Sequence, residues 1–423
     1  MDGNLLSRTT PMDADTYKGD LMKRKAFFLL AVLLACIQPV FSETFQFKFT
    51  KDEKYRIVTT VNENVYVNGE FSNSASILNK IAVSILESTS NKARLSAINQ
   101  VSIRDGEAEG SFTLDEEFFT EFWQDNTGIQ TVDSKYLYPL IRNIPSFPAG
   151  DIKTGNSWTA PAQEVHDLRR PWGINTPYIV PLSIQYMYIG KATVNGKSLD
   201  QFKVTYSYYH KLRLQTQPPK NQIYPVAMAG EVKMTYYWDS AIGKVSSYDD
   251  DFDILYYLST GDEIEFIGKS HGEVIAAETL DREQTRKAIT DEIQKQQLPD
   301  VKVEAVDEGV KITLDNIQFE PNSDILMASE RQKLDHIADI LKQYPDRDLA
   351  VIGHAARWGT EKAQMELSIS RAKAVADYLL KKGVRTDQQM TTIGKGATQP
   401  VADNSTEAGR IKNRRVEIIL LEN

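Results

Sequence analysis

A chain of 423 residues, 41% of them hydrophobic, is long enough for two or three domains with cores of their own. Its formal charge of -9 gives no cationic footprint and argues against a nucleic-acid partner. A single cysteine leaves no disulfide to staple the fold, so stability has to come from burial.

Residues 1–42 read as an upstream extension plus a signal peptide. Met22-Lys23-Arg24-Lys25 precedes an apolar run from Ala26 to Ile37, and small residues follow at Val40 and Ser42. That pattern predicts export, with cleavage between Ser42 and Glu43. About a dozen apolar residues are too few to span a bilayer. Leu33-Leu34-Ala35-Cys36 also matches a lipobox, in which Cys36 is acylated and becomes the first residue. The two processing routes are alternatives.

Residues 43–275 read as mainly antiparallel β-structure, a sandwich or part-barrel. Phe45-Gln46-Phe47-Lys48-Phe49, Phe202-Lys203-Val204-Thr205-Tyr206 and Glu231–Tyr236 alternate apolar and polar side chains, as half-buried strands do. Val194-Asn195-Gly196-Lys197 and Asp239–Lys244 supply hairpin turns. Asp115–Trp123, acidic and aromatic, suits a short helix. The proline-rich stretch 144–181 suggests a boundary near Pro161–Pro171, giving β-rich domains at 43–165 and 166–275, or one unit.

Asp249-Asp250-Asp251-Phe252-Asp253 offers oxygen ligands. Consecutive strand residues point to opposite faces, however, so a solvated strand edge is the simpler expectation. The tyrosines at 206, 208, 209, 236, 237, 256 and 257 read as sheet core and cross-strand pairs, with a ligand pocket as the alternative. His166, His210 and His271 show no metal-ligand spacing. No nucleophile elbow, phosphate loop or zinc motif occurs, so neither enzyme activity nor a cofactor is expected.

Residues 276–299 contain a charged helix, Asp281 to Gln297, read as a solvated connector. From residue 300 onward the pattern is α/β: strands at Val301–Glu304 and Val310–Leu314, a helix opened by a capping box at Ser329–Gln332, and a strand at Leu349–Gly353. A helix carrying Arg371 follows and stops at Gly383, with further strands at Met390–Gly394 and Val416–Leu421. Arg371 lies one turn from Leu367 and one from Val375, on or beside the buried face. A guanidinium there needs an anionic partner, from the protein or from a ligand.

Gly353, His354, Gly359, Leu367, Ser368, Arg371 and Ala372 stand in one register. Ile317-Gln318-Phe319-Glu320 precedes them and Asn413-Arg414-Arg415-Val416-Glu417 follows. In these residues the chain resembles the OmpA-like, peptidoglycan-associated family over residues 300–423. The resemblance implies an α/β sandwich that grips the zwitterionic end of diaminopimelate in the peptidoglycan stem peptide. It assigns Arg371 to the carboxylate, aided by Phe319, Glu320, Gln364 and His354. The family aspartate that takes the ammonium is Ala356 here, and the family asparagine is Gln364. Weak or altered binding of diaminopimelate-type peptidoglycan is therefore expected.

The whole reads as a non-enzymatic envelope tether, exported to the periplasm and attached, if at all, to the outer membrane by a lipid anchor. One alternative is an envelope scaffold that has lost wall binding and contacts protein. Another is a periplasmic ligand carrier that uses the β-rich region.

Overall fold

The computed structural model describes residues 42–105, 109–214, 222–277, 279–315, 317–319 and 325–422. Cys36, the rest of the signal region and Glu320 lie outside the described residues.

Ten long antiparallel strands form the first part. They are β1 (Lys54–Val67), β2 (Glu70–Ser88), β3 (Lys92–Asp105), β4 (Phe112–Asp125), β5 (Ser157–His166), β6 (Tyr178–Val194), β7 (Lys197–Lys211), β8 (Pro225–Asp239), β9 (Lys244–Leu258) and β10 (Glu263–Ala276). Their order is β5-β6-β7-β8-β9-β10-β1-β2-β3-β4, because β10 returns to pair with β1. Among the described residues no ladder joins β5 to β4, so the sheet is a part-barrel. The chain between β4 and β5 crosses its open side, with Gln130–Val132 pairing to β4 and Ile141–Arg142 pairing to β5. Residues 43–165 and 166–275 both feed this one sheet, and the ladder runs unbroken from His166–Tyr178 to Ser157–Met187.

The hairpin at Asn195-Gly196 forms as its residue types dictate, both with positive φ. Two sequence expectations differ. Phe45–Phe49 joins no ladder: Phe45 is buried against Phe147 and Tyr188, and Phe47 packs on Phe147 and Trp238, so the alternation marks a segment threaded into the concave side. Asp115–Trp123 is strand, not helix. Phe118, Thr120 and Phe122 pair with Asn99, Ala97 and Leu95 on the inner face, and Phe119 and Glu121 between them lie on the other face, where Phe119 is exposed. Period two outweighed the helix-compatible composition. A register shift at Val101/Ser102 then moves Leu114 and Phe112 to the opposite face.

The C-terminal sheet has the order β11-β12-β15-β13-β14, from β11 (Val301–Val306), β12 (Gly309–Asp315), β13 (Leu349–Gly353), β14 (Met390–Gly394) and β15 (Arg415–Leu421). Only β13 and β14 are parallel to each other. Helices α1 (Arg282–Lys295), α2 (Ala328–Leu341) and α3 (Glu361–Lys381) share one core with the sheet, and α4 (Glu407–Asn413) precedes the last strand. β13 is buried on both faces, hence its continuous apolar run. Met327, not Ser329, is the N-cap of α2, with no side-chain capping bond. Helix α1 is no solvated connector: Ile289 and Ile293, one turn apart, are buried in the C-terminal core.

The two parts meet through buried polar contacts. Thr391 and Thr392 of β14 pair in parallel with Phe112 and Thr113, so one sheet continues into the other. Asp348 accepts from Arg56 and Lys80, each at 2.8 Å, with all three side chains nearly out of water. Arg104 pairs with Asp387 at 2.8 Å and lies over the Phe112 ring. Asp377 accepts from the Ser111 backbone and hydroxyl. Burial alone would raise the Asp348 carboxyl, but Lys80 and Arg56 outweigh it and hold the group below the usual carboxylate range.

Two outcomes are expected. A fragment beginning at residue 277 should melt cooperatively, and one beginning at residue 300 should lose about 3–6 kcal/mol with Ile289 and Ile293; chemical denaturation of both fragments measures this. Asp348→Ala strands two buried cations at a cost of about 3–5 kcal/mol. In scanning calorimetry it should split a single transition into separate melts of the two parts.

Candidate functional site

The site is built where β13 ends under α3. A Cβ on Gly353 would lie 2.0 Å from the Ser368 carbonyl, and one on Gly394 would lie 2.3 Å from the Ile369 side chain. Only glycine at both strand ends lets the helix rest directly on the sheet. Ser368 is fully buried; its hydroxyl donates to the Met365 carbonyl and accepts from Gly396 N–H at 2.9 Å. The neighbouring Arg371 is thereby fixed at the level where the strand stops.

Arg371 is half-buried, with its guanidinium 5.0 Å from the centre of the Phe319 ring. Its Nε is buried and has no hydrogen-bond partner, and among the described residues no carboxylate pairs with it. Burial, then the nearby Arg414 charge, lowers its pKa. An arginine stays protonated regardless, so the site presents a charge that favours an anion.

The other candidate residues divide. Ala356 is 8% exposed, so the position of the family aspartate holds a buried methyl group. Gln364 is buried, and its amide donates to the carbonyls of Trp358 (3.3 Å) and Gly359 (3.1 Å); it shapes the loop. His354 is 2% exposed, its backbone N–H donates to the Arg415 carbonyl, and its Nε2 lies 3.4 Å from Glu417 Oε2. It stands beneath the site and packs on Glu417. Arg415 donates to Glu417 at 2.9 Å, and Arg414 pairs with Glu407, so both arginines make ion pairs.

Sequence reasoning missed Asn404, which accepts from Arg357 N–H at 2.9 Å and holds the loop after β13. It also missed the second strand-end glycine, Gly394; its only signal was the Gly394-Lys395-Gly396 run directly after an apolar strand.

Elsewhere, Ser42 and Glu43 pair with Lys153 and Ile152, far in sequence from this site. Asp249–Asp253 lies in β9, which is paired on both sides and is therefore not an edge. Asp249 and Asp251 pair outward with His271 and Lys269. Asp250 faces inward, and burial pushes its carboxyl up to about 6. His166 is buried between Glu164 and the Tyr256 hydroxyl. Tyr206 and Tyr236 are core, whereas Tyr209 is exposed. Among the described residues no group of His, Cys, Asp and Glu could hold a metal ion, and no helix is long and apolar enough to cross a membrane.

A mixed sheet with helices on one face defines an α/β sandwich, and at one of its strand ends Arg371 lies against Phe319 with its Nε unpartnered. Residues 318–414 match the model of the OmpA family, and the C-terminal domain belongs to it. The chain is 40% identical over 104 residues to the peptidoglycan-binding protein ArfA of Mycobacterium tuberculosis, covering 25% of this chain and 32% of that one. It is 34% identical over 106 residues to a peptidoglycan-associated lipoprotein of Brucella melitensis, covering 25% and 62%. The structure of an outer membrane protein from Borrelia burgdorferi is matched at 35% identity, covering 29% of this chain and 96% of that one, with a TM-score of 0.24. The chain thus spans about a third of the length of the first of these curated relatives.

Acid should loosen this domain in two stages. Burial lowers the pKa of His354, with Glu417 opposing, so protons prefer the unfolded chain; stability is complete above the ordinary histidine value of 6.5 and falls as the pH drops below it. For Glu417, burial raises the carboxyl, but His354 and Arg415 outweigh it and hold it at about 2. Its contribution is complete above its ordinary value of 4.5 and is lost between there and about 2. Denaturant midpoints at successive pH values measure both limbs; His354→Gln should remove the upper one and shrink the lower one, because Glu417 then keeps only Arg415.

Proposed function

We propose that this chain is a non-enzymatic envelope protein whose C-terminal domain contacts peptidoglycan and so tethers an envelope component to the wall. The observation that carries this reading is Arg371: half-buried, stacked on Phe319, and without a carboxylate among the described residues. The named relatives of this domain, a peptidoglycan-binding protein and a peptidoglycan-associated lipoprotein, support the same partner. Arg371 acts as the carboxylate clamp on the stem peptide, and many weak contacts along a repeating polymer sum by multivalency. Export by the signal at residues 22–42, with Glu43 or acylated Cys36 as the first residue, places the chain in the periplasm or at the outer membrane.

Ala356 qualifies the clamp. The ammonium end of a diaminopimelate zwitterion finds a methyl group there, so binding to that wall type is weak. The same residue favours a second reading, an envelope scaffold that contacts protein instead.

Titration of a soluble diaminopimelate-containing muropeptide separates them. Ala356→Asp should tighten binding by roughly 1.5–3 kcal/mol, about tenfold to a hundredfold. Adding Arg371→Ala should remove most of that gain. Wild-type binding as tight as that of Ala356→Asp would mean that Ala356 is no defect and that the wall is gripped in another way.

A further inference from the structure

We propose that Trp358 is a stacking platform for a sugar ring of the glycan strand, so that this domain reads the saccharide as well as the stem peptide. The inference rests on the reading of Arg371 as the peptide clamp.

Trp358 is 81% exposed, the highest value among the large apolar side chains described. Among the described residues no aromatic ring or cation lies against its indole. An indole is among the largest apolar groups a fold can bury, and this one is held in water. Its backbone is nevertheless fixed. Asn404 accepts from the preceding N–H at 2.9 Å, and the buried Gln364 amide donates to the Trp358 carbonyl at 3.3 Å and to the Gly359 carbonyl at 3.1 Å. Gly359 turns the chain at φ +76°, and Thr360 then caps α3 by accepting from Ala363 N–H at 3.2 Å. A buried polar side chain thus holds the backbone that carries an exposed aromatic ring, so that only the two side-chain torsions of the indole remain to be ordered on binding.

Position supplies the occupant. Trp358 follows Ala356 by two residues, so their Cα atoms lie within about 7 Å. A stem peptide whose diamino acid sits at the clamp runs back to its sugar at about 3.5 Å per extended residue, reaching a point about 10 Å away. Pyranose rings offer one face of polarised C–H bonds with hydroxyls around the edge. Such a face suits an uncharged aromatic plate, and C–H groups are weak donors to electron-rich partners.

The test uses the full chain and two soluble probes: a disaccharide-linked stem peptide and the same peptide without sugars. Calorimetry on wild type should show about five- to tenfold tighter binding of the glycosylated probe. Trp358→Ala should bind both probes alike, with its affinity for the bare peptide unchanged, and Trp358→Phe should recover part of the sugar-dependent gain. No sugar-dependent gain in wild type, including no binding of either probe, overturns the proposal, and so does a gain that survives Trp358→Ala. Trp358→Ala losing capture of another envelope protein while sugar binding stays intact overturns it in favour of a protein contact. Arg371→Ala reports separately: if both affinities stay at wild-type level, the clamp reading fails, whatever the sugar does.

Discussion

Asp348 sits between Arg56 and Lys80 where all three side chains are nearly excluded from water. One carboxylate facing two buried cations is a poor source of net stability, because desolvation offsets most of the attraction. Its value is positional. The pairing of Thr391–Thr392 with Phe112–Thr113 is only two residues long and cannot set a register alone. Asp348, Asp387 and Asp377 supply fixed points around it, each reaching a different residue of the part-barrel. The C-terminal domain is thereby seated on the outer face of the first sheet, and the orientation of its ligand site is inherited from that lock.

The site shows the same chemistry with one partner withheld. Other low-exposure charges nearby are matched: Arg415 with Glu417, Lys333 with Glu330, and Asp348 with its two cations. Arg371 has an aromatic ring and no carboxylate among the described residues. An unmatched cation in a partly dry place is a cost to the free protein, and a bound anion relieves it. Ala356 places a buried methyl group where the proposed clamp would need an anionic pole, and this is why the proposal expects weak binding of a zwitterion.

Local signals were the legible ones. The Asn195-Gly196 turn and the Gly383 stop of α3 follow from the conformations those residues prefer. The strand-helix-strand course around Arg371 followed from apolar spacing. What stayed hidden depends on partners distant in sequence. Asp348 lies 292 residues from Arg56, and nothing around either residue announces the other. Ile289 and Ile293 gave too thin a stripe to reveal that α1 belongs to the C-terminal core. Asp115–Trp123 misled because its composition outweighed a period broken by the register shift beside it. In the candidate site, Arg371 and Phe319 could be paired by resemblance, whereas the loop-holding roles of Gln364 and Asn404 needed the backbone.

The central claim is that an unmatched arginine on a rigidly seated domain grips the wall. Co-sedimentation of the purified chain with isolated sacculi tests it most directly. The account predicts that wild type sediments with the sacculi, that Arg371→Ala remains in solution, and that Arg371→Ala melts no lower than wild type. Equal sedimentation of the two proteins would contradict it.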